Sequence, residues 1–446
     1  MSVLMRSVSG IRGIVGDTLT VDVLVRHTRA FLEVTQAKSI VLGRDSRPTG
    51  EAICELVAGV CRMAGVSVVD IGLATTPTVE IMVELSKAGG GIIITASHNP
   101  IEWNALKFLN AKGMFLGPKD VQLLFALADQ NEFSWPRWES MGLKTSRTDS
   151  DQAHIDGVLG LAVVDVAAIR AAKFKVALDA VNGAGSMIVP DLLRQLGCEV
   201  VELYCEPNGR FPRGAEPTPE NLADLGNVVR EHGCTVGFAL DPDADRCALV
   251  DSLGRSVGEE YTLAVATDTV LDRLQGPVCI NLSTSRMNED VAVRHGQQCF
   301  RSAVGEINVS LEMIARNCVM GGEGNGGTIL PSLHYGRDSL VAVALVLDWM
   351  ARKGKRVEDW VAGNPSYAMP KKKFNLGAKP VAQVLADVKA LFEGWTEDSR
   401  DGLWLGKSKS WIHVRASNTE PVIRVIAEAP DAAEAEALCH RVEAVL

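Results

Sequence analysis

The chain has 446 residues, more than one hydrophobic core usually serves, which suggests two to four domains. Hydrophobic residues make up 47% and charged residues 22%, ordinary globular proportions that leave no long stretch too polar to fold. Net charge is -10 and no basic run exceeds Lys371-Lys372-Lys373, which excludes the electrostatic footprint of a nucleic-acid partner or an anionic membrane surface; an anionic ligand must meet a local basic pocket.

The N-terminal Met1-Ser2-Val3-Leu4-Met5-Arg6 lacks a charged region followed by an apolar one, so a cytoplasmic protein is expected. Ser9-Gly10-Ile11-Arg12-Gly13 then sets one arginine between two glycines. A strand pattern follows at Ser39–Gly43, a helix ending near Gly65, a second strand to Asp70, and a third strand over Gly91–Thr95. That strand runs into Thr95-Ala96-Ser97-His98-Asn99-Pro100, a polar turn presenting a serine beside a histidine. A serine hydroxyl is a weak nucleophile and needs a base, a metal or a covalent modification, so its neighbours decide its role. Lys107 follows closely.

The same unit recurs twice. Its strands read as Lys175–Asp179, Gly197–Glu202 and Val236–Leu240, then as Val278–Leu282, Gly296–Phe300 and Cys318–Met320, each helix closing near a glycine. The third strand of the second copy opens into Asp241-Pro242-Asp243-Ala244-Asp245-Arg246, and that of the third into Gly321-Gly322-Glu323-Gly324-Asn325-Gly326-Gly327. Strands alternating with helices at this spacing predict three α/β units with mainly parallel sheets, whose ligands bind beyond the carboxyl ends of the strands. Three equivalent loops then predict one composite site.

Each loop has its own chemistry. Three carboxylates at alternate positions suit a hard divalent cation; an EF-hand would need glycine and glutamate where Arg246 and Ser252 stand. Mg²⁺ is favoured, because three protein ligands leave room for phosphate oxygens. The glycine loop matches G-x-G-x-x-G, yet Thr328-Ile329-Leu330-Pro331 follows it, strand-like rather than the helix start a dinucleotide requires. Its glycines more naturally admit a ligand that Glu323 and Asn325 grip by sugar hydroxyls.

Leu340–Met350 is apolar but contains Asp348 and is too short to span a membrane. From about Pro370 the repeat stops, and strand patterns at Trp411–Arg415 and Pro421–Ile426 predict a smaller α+β domain. The intervening Arg415-Ala416-Ser417-Asn418-Thr419-Glu420-Pro421, with Arg424 beyond, groups donors suited to phosphate. The expected domains are 1–145, 146–252, 253–366 and 367–446. Ten cysteines without a C-x-x-C spacing are expected as buried thiols.

Together and in this order, T-A-S-H-N-P, D-x-D-x-D-R, G-G-E-x-x-G and R-x-S-x-T-E-P resemble the motifs of the α-D-phosphohexomutase family across the whole chain. The resemblance implies four domains around a central cleft, the first three sharing a fold, and transfer of a phosphoryl group between O1 and O6 of a hexose phosphate. It implies Ser97 as the phosphoserine, Asp241, Asp243 and Asp245 as Mg²⁺ ligands with an oxygen on Ser97, and a hexose 1,6-bisphosphate as intermediate and activator. Lys107 and His98 would move protons, Arg12 and Arg246 would neutralise charge, and Glu323 and Asn325 would read the sugar. Arg415, Ser417, Asn418, Thr419 and Arg424 would anchor the idle phosphate. Many members have serine and histidine where Asn325 and Gly327 stand, and glycines where Pro242 and Ala244 stand. The resemblance narrows to a branch acting on glucosamine phosphate, or alternatively on glucose and mannose phosphates, as a monomer or homodimer. A Mg²⁺-dependent sugar phosphatase and a non-catalytic sugar-phosphate sensor are the competing readings.

Overall fold

A computed structural model describes residues 3–376, 379–416 and 422–446. Its first sheet holds β1 (Met5–Ser7), β2 (Gly10–Ile14), β3 (Ser39–Arg44), β4 (Ser67–Leu73), β5 (Gly90–Ile94), β6 (Trp103–Asn110) and β7 (Lys144–Ser146), in the order β1-β2-β6-β5-β3-β4-β7. The second holds β8 (Lys175–Asp179), β9 (Glu199–Leu203), β10 (Val236–Leu240) and β11 (Cys247–Val250), ordered β11-β10-β8-β9. The third holds β12 (Val278–Asn281), β13 (Cys299–Ser302), β14 (Met320–Glu323) and β15 (Gly327–Ile329), ordered β13-β12-β14-β15. The last is antiparallel: β16 (Lys371–Asn375), β17 (Thr396–Asp398), β18 (Leu403–Lys407), β19 (Ser410–Ala416) and β20 (Val422–Glu428), ordered β16-β20-β19-β18-β17.

Three copies of one unit are present, and each has a strand more than the repeat predicted. Parallel pairing joins β3 to β4 and β5, β8 to β9 and β10, and β12 to β13 and β14. A fourth strand then returns antiparallel, β6 on β5, β11 on β10 and β15 on β14. The sheets are therefore mixed but mainly parallel, as expected, and in the first sheet β1/β2 and β2/β6 are antiparallel as well. The three candidate loops are consequently hairpin connections, with both flanks fixed by sheet hydrogen bonds. Glu323 sits at the end of β14 rather than within its loop.

Local sequence explains the elements that matter. Ile92, Ile93 and Ile94 are fully buried because helices cover both faces of the sheet, so β5 reads as a continuous apolar run. Gly65, Gly197 and Gly296 take positive φ just past helix ends, as expected of C-terminal glycines. Thr75 caps the helix Thr76–Leu85, accepting from Thr78 N, and Asp338 caps Ser339–Lys353, accepting from Leu340 N and Val341 N. That second helix is buried from Ser339 to Met350, which explains its apolar composition without a membrane. Among the described residues no helix is long and apolar enough to cross one. The edge strand β7 pairs with β4, so the first sheet extends to Ser146.

Burial divides the molecule unevenly. One continuous core runs from Ile155 to Trp360 and joins the second and third units, with the helices Glu259–Leu271 and Ser339–Lys353 between their sheets. The first unit keeps its core on the two faces of its own sheet, and the antiparallel unit has a separate core around Val414, Val425 and Leu438.

Candidate active site

Ser97 stands at the end of β5 with φ 48°, a left-handed conformation that costs a non-glycine residue roughly 1–2 kcal/mol. The surroundings hold it there. Ser97 N donates to Thr95 Oγ1 at 3.0 Å, and Thr95 Oγ1 donates to Asp45 Oδ2 at 2.6 Å. Arg47, fully buried, donates to the carbonyls of Ser97 (2.7 Å), Asn99 (2.6 Å), Pro100 (2.5 Å) and Trp103 (3.0 Å), with Nε on Asp45 at 3.1 Å. Sequence reasoning passed over Asp45 and Arg47, although their Asp-Ser-Arg turn follows β3, beside β5 in the same sheet.

The hydroxyl of Ser97 donates to Asp241 Oδ2 at 2.9 Å, across the boundary between the first two units. Asp241, Asp243 and Asp245 are completely buried, and each brings a ligand oxygen to within 4.8 Å of the others. Burial, followed by repulsion from Asp245 and Asp243, lifts the Asp241 carboxyl well above its usual range. Burial would lift Asp243 too, but Lys107, with hydrogen bonds from Lys107 Nζ (2.7 Å) and Thr76 Oγ1 (2.6 Å), pulls it below that range. Asp243 Oδ1 and Asp245 Oδ1 are buried without a hydrogen-bond partner. Three crowded carboxylates, two of whose oxygens lack a hydrogen bond, fit a divalent cation of the Mg²⁺ type, although Arg246 Nε lies 3.6 Å from Asp245 Oδ1.

Lys107 extends from β6, its pKa raised because Asp243 and Asp245 outweigh its burial, so it is an ammonium in this site. His98 lies 3.4 Å from Ser97 Oγ through Nδ1 and is pushed down to about 2 by Arg246, burial and Arg12, so it is a neutral imidazole. Arg12 donates to Asn99 Oδ1 at 3.0 Å and Arg246 to Glu216 Oε1 at 3.0 Å. Both guanidinium groups, with Ser97, His98, Lys107, Glu323 and Asn325, line one pocket of about 200 Å³.

A second pocket of about 360 Å³ shares His98, Arg246, Glu323 and Asn325 and continues to Arg415 and Arg424. Those two arginines are direct cross-strand partners on β19 and β20, which puts their side chains on one face. Ser417, Asn418 and Thr419 lie outside the described residues. Glu323 accepts from Asn281 Nδ2 (2.7 Å) and Gly305 N (2.9 Å) on one oxygen and from Arg337 Nη1 (2.7 Å) on the other. Burial works against its charge, but Arg337 and these donors hold its pKa low, so it is a carboxylate. Asn325 Oδ1 accepts from Gly327 N at 3.2 Å and so partly serves its own loop. Twelve of the sequence-predicted residues thus meet in one cleft: Arg12, Ser97, His98, Lys107, Asp241, Asp243, Asp245, Arg246, Glu323, Asn325, Arg415 and Arg424. Sequence reasoning missed Arg337 and Glu306, which line the smaller pocket, since neither falls in a recognisable motif.

Comparison with known proteins identifies the family of the chain. Family models described as phosphoglucomutase/phosphomannomutase alpha/beta/alpha domains I, II and III and C-terminal domain match residues 5–135, 152–254, 258–367 and 369–445. A phosphoglucomutase/phosphomannomutase of Thermococcus kodakarensis is 34% identical over 429 residues, spanning 94% of this chain and 93% of its own. A probable phosphoglucosamine mutase of Methanopyrus kandleri is 32% identical over 426 residues, again spanning 94% and 93%. The crystal structure of a phosphoglucomutase/phosphomannomutase family protein from Burkholderia thailandensis superposes with a TM-score of 0.84 at 25% identity, covering 99% of this chain and 98% of that one. The fold and the relatives define a phosphohexomutase, an intramolecular phosphotransferase. The chain belongs to the phosphoglucomutase/phosphomannomutase family.

Proposed function

We propose that Ser97, when phosphorylated, gives its phosphoryl group to one hydroxyl of a hexose monophosphate, and that the resulting hexose 1,6-bisphosphate turns and returns its other phosphoryl group to Ser97. The observation that carries this reading is the 2.9 Å contact of Ser97 Oγ with Asp241, on the floor of a cleft whose far wall holds Arg415 and Arg424. In the first transfer the bond from phosphorus to Ser97 Oγ breaks and one to the sugar oxygen forms. The ammonium of Lys107 can protonate Ser97 Oγ as it leaves and be restored by the proton of the attacking hydroxyl, while His98, held neutral with its pKa pushed down to about 2, can only hydrogen-bond the reacting oxygens. Return of the second phosphoryl group reverses both transfers. Arg12 and Arg246 offset charge on the moving group. Asp241, Asp243 and Asp245 would hold Mg²⁺, which when bound withdraws charge from the phosphoryl oxygens. Arg415 and Arg424 grip the idle phosphate, and Glu323 with Asn325 orients the sugar in either direction.

Glucosamine phosphate is the substrate we favour. The larger pocket is lined by Glu216, Glu259, Glu260 and Glu323 beside its cations, which suits an ammonium on the sugar. Interconversion of glucose and mannose phosphates is the second reading, supported by the name of the Thermococcus relative.

The decisive assay follows 1-phosphate to 6-phosphate interconversion of all three sugars with Mg²⁺ and the matching bisphosphate, while free phosphate is monitored. Isomerisation without phosphate release is expected, fastest for glucosamine phosphate; release without isomerisation would leave a phosphatase instead. In Ser97→Ala, turnover is expected to fall by at least about a thousandfold with circular dichroism unchanged, since the nucleophile is gone.

A further inference from the structure

We propose that Arg337 is a positioning residue that locks the acidic loop of the second unit to the glycine loop of the third, using one guanidinium to hold a carboxylate from each. It follows β15 and immediately precedes Asp338, the cap of the buried helix Ser339–Lys353, so its backbone is anchored at both ends. All three of its nitrogens are engaged: Nη2 donates to Asp245 at 2.5 Å, Nη1 to Glu323 at 2.7 Å and Nε to Glu306 at 2.9 Å. The residue is 8% exposed. A planar fork with fixed donor directions can hold three carboxylates at once, which a lysine ammonium on a flexible stem cannot reproduce.

The consequence lies in which oxygens stay free. Arg337 takes Asp245 Oδ2, while Lys107 and Thr76 take Asp243 Oδ2; Asp243 Oδ1 and Asp245 Oδ1 are left buried without a hydrogen bond, the latter 3.6 Å from Arg246 Nε. Two cations from different units thus each hydrogen-bond one oxygen of a carboxylate and leave its other oxygen without a hydrogen bond, available to a metal ion. Through its second arm Arg337 also fixes Glu323, so the cation position and the sugar-facing carboxylate are tied to one rigid group. With every nitrogen occupied, Arg337 differs from Arg12 and Arg246, and it acts through these carboxylates rather than on the phosphate.

Two adjacent glycines of the sugar loop, Gly326 and Gly327, gain a specific purpose from this. A Cβ on Gly327 would lie 2.3 Å from Arg337 Cδ and 2.9 Å from its Cγ, so the arginine passes through the space a side chain there would need. Gly326, at φ 85°, would place a Cβ 2.3 Å from the Cys247 carbonyl oxygen; without it the hairpin rests against β11 and accepts from Cys247 N at 3.1 Å. Gly326 lets the third unit touch the second, and Gly327 lets Arg337 reach across.

This inference rests on the proposed cation site, and its test separates the two. Arg337→Lys keeps the charge and loses the fork. Gly327→Ala removes no polar group; its methyl displaces chiefly the arginine and also presses on Asn325 Oδ1, at 3.0 Å. Mg²⁺ binding to the unphosphorylated full-length protein is measured by calorimetry for wild type and both variants, alongside kcat, KM and melting temperature. Both variants are expected to lose about 10- to 100-fold in Mg²⁺ affinity and in kcat, the range seen when outer partners of metal ligands are removed. KM is expected to rise as well, because the same guanidinium fixes the sugar-facing Glu323. Wild-type Mg²⁺ affinity in both variants, whether or not they melt earlier, would overturn the role of Arg337 and leave the cation site standing. Absence of Mg²⁺ binding in the wild type would overturn the cation site and this inference with it.

Discussion

The second and third units are joined by hydrophobic core, whereas the fourth is joined to the third through polar groups. Between the second and third units the helix Ser339–Lys353 is buried from Ser339 to Met350, packing on the helices Glu259–Leu271 and Val166–Ala172 and on β11 and β15. At the other seam, Glu428 accepts from Arg286 N at 3.1 Å, Ser283 Oγ meets His413 Nδ1 at 2.9 Å, Asp401 accepts from Val304 N at 3.0 Å, and Arg301 lies 5.5 Å from the centre of Trp404 and 5.6 Å from that of Trp411. Apolar burial fuses two units into one cooperative body, because separating them would expose continuous core to water. Directed polar contacts can exchange with water at small net cost, so they permit the fourth unit to move while fixing where it docks. The acidic loop and the glycine loop, proposed to hold the cation and the sugar in one mutual geometry, lie on the fused pair. Arg415 and Arg424, proposed to grip the idle phosphate, lie on the separable unit.

The widest break in this comparison comes from the cores. Leu345→Ala, at a fully buried position of the shared core, is expected to destabilise the second and third units together by about 2–5 kcal/mol. Val425→Ala should weaken only the fourth unit, whose core is its own. Calorimetry is expected to resolve two transitions, each variant moving one; a single transition shifted by both would show that the polar seam is as cooperative as the core. A smaller effect follows at the seam itself. Arg301→Lys keeps the charge but loses the fork that donates to Glu289 at 2.7 Å and to the carbonyls of Asn281 at 3.1 Å and Thr284 at 3.0 Å. It should loosen docking by about 1 kcal/mol, read as faster amide exchange in β19 with exchange in β14 unchanged.

The smallest effect is a pH dependence. Burial pushes the Glu428 carboxyl from 4.5 up to about 8, with Arg301 opposing and Glu260 reinforcing the shift. Its folded pKa is raised, so the stability it contributes is fully present below about 4.5 and is lost as pH rises through about 8. The fourth unit should therefore melt progressively earlier between those values, and Glu428→Gln should flatten the slope. An unchanged slope in the variant would remove Glu428 as its source.

Much of this was legible in the residues because chemistry and local structure are written close together along the chain. Ser97, the three aspartates and Glu323 each sit at or just beyond the end of an apolar strand, and the repetition of that arrangement was enough to predict that they meet. Pattern could not supply what depends on distant partners. The returning strands β6, β11 and β15 escaped a search tuned to alternating strands and helices, since two of them are only four and three residues long. Arg47 and Arg337 stand outside the motifs, and only the packed structure puts one over four carbonyls of the serine turn and the other among three carboxylates. The chain by itself therefore determined the kinds of group available and the ends of the elements that carry them. Tertiary structure alone decided which charges are buried together, because desolvation and pairing arise between residues as far apart as Asp245 and Arg337.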